Sequence, residues 1–140
     1  MVDRPHKYRF SLFRCFDHAP LTLLLLQRSD CDVAASSLCP ALYGFIPQTY
    51  CGDESAALCR AATGVNVVRG DGDPLDICIL STRAVTHGDI LLQATPIGGF
   101  RMIDKNEADD KIIAVLKDDA GMSAWKELTD VPAPMVDMLK

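Results

Sequence analysis

Several things are scarce in this 140-residue chain, and each scarcity removes a class of function. The longest uninterrupted apolar run, Leu23-Leu24-Leu25-Leu26, falls far short of the roughly 18 residues a membrane span needs. There is one Trp, no block of Lys and Arg, and a formal net charge of −5, a balance that argues against a nucleic-acid partner and for a chain that gathers cations. The six cysteines include no C-x-x-C pair and no His at ligand spacing, so neither a zinc site nor a redox motif is supported, and reduced thiols in a cytoplasmic protein are expected. With 49% apolar and 24% charged residues the composition is that of one globular domain.

What the chain does have is Gly70-Asp71-Gly72-Asp73-Pro74-Leu75-Asp76, followed at once by the apolar run Ile77-Cys78-Ile79-Leu80. Three carboxylates this close repel one another and call for cations, and oxygen-only ligands select hard ions such as Mg²⁺. Gly70 and Gly72 can take positive φ and Pro74 fixes its own, so the segment reads as a shaped loop entering a strand. A solvated acidic turn is the plainer alternative. An EF-hand calcium loop is a poor third reading, because Pro74 and Leu75 break the ligand spacing and no Glu stands at the twelfth loop position.

Asp104, Asp109, Asp110 and Lys111 form a second charged cluster, in the expected turn between strands Phe100–Asp104 and Lys111–Leu116. Strands are also expected over Leu75–Ser81 and Ile90–Ala94, and turn signals between the four suggest a small closed or partly closed barrel. If the two acidic turns face each other, five or six carboxylates meet a Lys, an excess of like charge that a stability role does not explain. Glu54 to Arg69 shows no sustained periodicity and is expected to be a long loop with one helical turn at most. Val131-Pro132-Ala133-Pro134 opens a helix at the end of the chain, with Pro in its first turn. Residues 10–36 fit a surface insertion or a short amphipathic helix better than a signal peptide, because Arg14, Asp17 and His18 interrupt the apolar run.

The acidic loop, the preceding Tyr43-Gly44-Phe45-Ile46-Pro47, then Pro96-Ile97-Gly98-Gly99, and Asp104 and Asp109 with Lys111-Ile112-Ile113-Ala114-Val115 resemble, in order, the motifs of the soluble family I inorganic pyrophosphatases. Val2-Asp3-Arg4-Pro5 resembles that family's upstream Arg block. The resemblance implies a mainly β fold, an OB-like five-stranded barrel with a peripheral helix. It also implies hydrolysis of pyrophosphate to two phosphates with Mg²⁺, in a cytoplasmic homo-oligomer. By position, Asp71, Asp76, Asp104 and Asp109 would be metal ligands, Asp73 the general base, and Arg4, Tyr43 and Lys111 the groups that bind phosphoryl oxygens. From the residues alone, Tyr43 reads as core as readily as ligand.

There are also departures from the family's pattern. Cys39 stands where the family has a Tyr, and Lys105 where an acidic residue often follows the Asp104 position. The family's N-terminal Glu and Lys and its C-terminal Tyr-Lys pair have no counterparts, so residues 1–140 are expected to be a single partial domain truncated at both ends. Arg4 and Tyr43 stand much further apart than their family counterparts, which marks residues 9–36 as an insertion or a gene-structure artefact. A relative that binds divalent cations or pyrophosphate without turnover is the alternative to an active enzyme.

Overall fold

The computed structural model describes residues 11–13, 21–25, 41–83, 85 and 88–139. The elements in chain order are β1 (Ser11–Phe13), β2 (Leu21–Leu25), β3 (Ala41–Phe45), α1 (Asp53–Thr63), β4 (Arg69–Gly70), β5 (Asp76–Leu80), β6 (Ile90–Arg101), β7 (Ile103–Asp104), β8 (Glu107–Ala108), β9 (Lys111–Leu116) and α2 (Ala133–Met138). The chain is mainly β, as expected. Pairings run from β2 to β3, β5, β9 and β6, and β6 pairs again with β2, while β1 lies on the other part of β6.

β6 can serve several partners because it bends. Its first part, Ile90–Ala94, pairs with β2, and Ala94–Phe100 pairs with β9, with a register shift between Pro96 and Gly98. Pro96 has no N–H to give a ladder, and Gly98 takes φ 152°, so the run that reads as a break between two strands is a bulge inside one. The expected strand Phe100–Asp104 divides after Arg101. Ile103–Asp104 instead pairs back on Glu107–Ala108 through Lys105 and Asn106, both at positive φ, the conformation of a tight two-residue hairpin turn.

Side chains alternate between two apolar clusters. Ala114 and Leu116 of β9 join Ile77 and Ile79 in one, while Ile113 and Val115 join Leu80, Phe100, Met122 and Val131 in the other. The second cluster is covered by Trp125, Leu128, Met135 and Val136, so the expected helix at the end of the chain seals the outer face of β9.

Two further expectations are corrected. Residues Glu54 to Arg69 are not a loop, since Asp53–Thr63 is a three-turn helix. Asp53 and Glu54 suit its N-terminus and Arg60 its C-terminus, and Gly64 ends it at φ 68° with its N–H on the Arg60 carbonyl. Its buried residues are only Ala56 and Cys59, too small to mark an apolar stripe in the sequence. Within residues 10–36 the described segments are strands, not a helix, because Leu21–Leu25 finds an antiparallel ladder partner in Ile90–Ala94 that an isolated surface segment would lack.

Asp119 locks the far end of the sheet. It is fully buried, and its carboxylate accepts from Ser81 Oγ (2.9 Å), Thr82 N (2.8 Å), Thr82 Oγ1 (3.0 Å), Gly121 N (3.0 Å) and Met122 N (3.1 Å). Burial alone would raise its pKa; these donors overcome burial and bring it down to about 2. A depressed carboxyl pKa stabilises the fold above the ordinary value of 3.8, and that contribution disappears as pH falls through about 2. The urea midpoint of the wild type is therefore expected to fall between those pH values, with a shallower fall in Asp119→Asn. Asp119→Ala is expected to lose about 3 kcal/mol at neutral pH, since it strands several buried donors; equal stability of Ala variant and wild type would contradict this.

Candidate active site

Two parallel registers bring the charged residues together. In the small sheet β4–β8–β7, Gly70 lies beside Ala108, so the chain leaves it with Asp71 and Asp109 as neighbours. In the large sheet Asp76 lies beside Lys111. Asp104, at the end of β7, pairs with Glu107 across the hairpin and is half-buried. The small sheet rests on α1 through Ala56, Cys59, Val67, Ile103 and Ala108, a third apolar cluster behind the acidic turns.

Main-chain bonds shape the acidic loop. Cys51 N donates to the Asp73 carbonyl (2.8 Å), Gly72 N to the Cys51 carbonyl (3.0 Å), and Asp71 N to the Ala108 carbonyl (3.1 Å), which also accepts the Cys51 thiol (3.2 Å). Gly72 takes φ 84°, as expected, but Gly70 is needed for a different reason. A Cβ on Gly70 would stand 2.1 Å from the Cys51 carbonyl oxygen, so the two backbones could not approach. Asp71 Oδ1 accepts the Asp73 N–H (3.1 Å), and the Asp73 side chain is exposed at the tip of the loop.

At the centre, Lys111 Nζ donates to Asp76 Oδ2 at 2.6 Å and to Asp109 Oδ1 at 3.3 Å. The Tyr43 hydroxyl donates to the same Asp76 oxygen, and the ammonium lies 3.4 Å from that hydroxyl and 5.6 Å from the ring centroid. Tyr43 thus joins the cluster of Asp76 and Lys111. Burial and then its bond to Asp76 raise the Tyr43 pKa, so it stays a neutral donor. Burial lowers the Lys111 pKa, but the Asp76 hydrogen bond and the charges of Asp109 and Asp76 outweigh it and hold the group protonated. The Asp109 pKa is raised by burial; Lys111 opposes this, and the charges of Asp76 and Asp71 add to it.

Asp71, Asp76 and Asp109 are therefore near enough to repel, and they offer only oxygen, the donor chemistry suited to a hard divalent ion. Among the described residues no three acidic, Cys or His side chains stand at metal-binding spacing; the ammonium of Lys111 contacts both Asp76 and Asp109. Asp110 does not join the expected convergence: it is turned to the opposite side, against Arg101. Arg4 lies outside the described residues. Cys51 and Arg101 carry no signal in the sequence, showing as one thiol and one cation until the registers are known.

A family model described as inorganic pyrophosphatase matches residues 23–140. The chain is 50% identical over 115 residues to an inorganic pyrophosphatase of Chlamydia muridarum, an alignment covering 82% of this chain and 55% of that protein. Over 131 residues it is 30% identical to an inorganic pyrophosphatase of Pseudomonas aeruginosa, covering 89% and 64%. Its fold superposes on an inorganic pyrophosphatase crystal structure from Neisseria gonorrhoeae with a TM-score of 0.53 at 32% identity, over 71% of this chain and 47% of that one. With the Helicobacter pylori enzyme the TM-score is 0.62 at 24% identity, over 91% and 75%. The chain spans about half the length of the chlamydial relatives it matches. A match over residues 23–140, together with the same ordered fold, means that this chain belongs to the inorganic pyrophosphatase family.

Proposed function

We propose that this chain carries the catalytic centre of a Mg²⁺-dependent inorganic diphosphatase, which hydrolyses pyrophosphate to two phosphates in the cytoplasm. The observation that carries the reading is the pair of registers that set Asp71 beside Asp109 and Asp76 beside Lys111. In this reading Asp71, Asp76, Asp104 and Asp109 hold the ions. Bound Mg²⁺ supplies charge neutralisation of the substrate and lowers the pKa of a coordinated water.

The protein's own groups do the rest. Asp73, exposed on a loop pinned by Cys51, takes the proton of the attacking water. Lys111, kept cationic by its carboxylate neighbours, and Tyr43, kept protonated, donate to phosphoryl oxygens, and Arg4 adds a guanidinium from the N-terminal segment. Asp76 and Asp109, which would hold the ions, are the carboxylates that Lys111 contacts, so with the ions bound its ammonium would be available to phosphoryl oxygens. The circuit of pairings through β2, β3, β5, β9 and β6 serves as the five-stranded OB-like barrel. β1 and β2 lie within residues 9–36, and the family match begins inside that stretch, at residue 23. Assembly with further copies covers exposed apolar positions such as Leu91 and Met138.

Phosphate release from pyrophosphate with millimolar Mg²⁺ tests the reading. Turnover is expected in the wild type and a fall of about 100-fold or more in Asp73→Asn. Pyrophosphate binding without release would identify the non-hydrolytic alternative, and equal rates in the two proteins would remove Asp73 as the base.

A second expectation concerns charge. In metal-free buffer Lys111→Met removes the cation that opposes burial, so the Asp109 carboxyl should titrate at a higher pH than in the wild type, read by carboxyl carbon NMR. An unchanged titration would mean that Lys111 is not its counter-charge.

A further inference from the structure

The segment carrying Asp109 and Lys111 is also held from its other side. Successive side chains of an extended chain point in opposite directions, and Asp110, between those two residues, places its Oδ2 on Arg101 Nη1 at 2.8 Å. Arg101 is the last residue of β6, and the carbonyl of the next residue, Met102, accepts the Asp109 N–H at 2.9 Å. One main-chain bond and one ion pair therefore join residues 101–102 to residues 109–110.

The ion pair is poorly explained by stability. Its side chains are only 12% and 9% exposed, and Asp110 Oδ1 is buried with no hydrogen-bond partner among the described residues. Desolvating both charges offsets much of their attraction, the unpaired oxygen adds to the penalty, and apolar residues of similar volume commonly stabilise a fold as well or better. What an apolar pair lacks is direction. A charge-assisted hydrogen bond fixes where the main chain of Asp110 lies, and with it the neighbours on either side.

We propose that Arg101 and Asp110 are a positioning pair for the active site, holding the Asp109 carboxylate and the Lys111 ammonium where divalent ion and phosphoryl oxygens meet. This rests on the function proposed above. The pair touches neither ion nor substrate and acts through the main chain of residues 109–111, as partners behind a metal ligand do elsewhere.

The test uses the full chain, Mg²⁺ alone as the probe, and two readouts: calorimetric Mg²⁺ affinity and thermal melting. Arg101→Met and Asp110→Leu each strand a buried charge and should melt lower than the wild type. The double variant should regain the wild-type melting temperature yet bind Mg²⁺ about tenfold more weakly. If the double variant does not melt cooperatively, Asp110→Asn, which keeps the shape, is read in the same way. Wild-type Mg²⁺ affinity in a variant that melts normally would overturn the positioning role alone. Failure of the wild type to take up more Mg²⁺ than Asp76→Asn would overturn the site reading and this inference with it.

Discussion

One ammonium lets two carboxylates share the end of the sheet. Lys111 Nζ touches both Asp76 and Asp109, and the Tyr43 hydroxyl closes on Asp76 from the third strand. Without that cation the burial of Asp109 beside Asp76 and Asp71 would favour its protonation. The contact exists because β5 and β9 run parallel in a register that sets Asp76 against Lys111, while β4 and β8 do the same for Asp71 and Asp109. Apolar packing on both sides of β9 holds the first register, and α1 backs the second. The chemistry of the site is in this sense a consequence of strand register.

The parts of this arrangement that were legible in the sequence are those whose chemistry is local. Asp71, Asp73 and Asp76 sit in one turn, Lys111 opens an apolar strand, and Pro132 and Pro134 mark the start of α2. Helix α1 was not legible because Ala56 and Cys59 bury no large side chain, so no 3.6-residue stripe shows. β6 looks like two strands in the sequence because Pro96 and Gly98 are turn residues in most settings and a bulge in this one. The partners of Asp119 and Asp110 were beyond reach for a different reason. An acidic residue in a run of acidic residues looks solvated until the chain brings Ser81 and Thr82, or Arg101, against it.

Buried charge is used in two ways in this fold. Asp119 is satisfied by hydroxyl and amide donors alone, and its depressed pKa marks a group that stabilises. Asp110 is paired with Arg101 and has one carboxylate oxygen without a partner among the described residues, which suits the positioning role proposed for it. The first lies where β5 and β9 end, the second where the charged cluster begins. The end of the sheet locked by Asp119 and the end that carries the charged cluster are therefore separate.

The central claim is that the two registers assemble a divalent-cation site from Asp71, Asp76 and Asp109, with Lys111 as the group displaced toward substrate. Anomalous diffraction from crystals of the chain soaked in MnCl₂ tests it most directly. The account predicts anomalous peaks between these carboxylates, with the Lys111 ammonium moved off Asp76. Density free of such peaks at saturating Mn²⁺, with Lys111 still bridging Asp76 and Asp109, would contradict it.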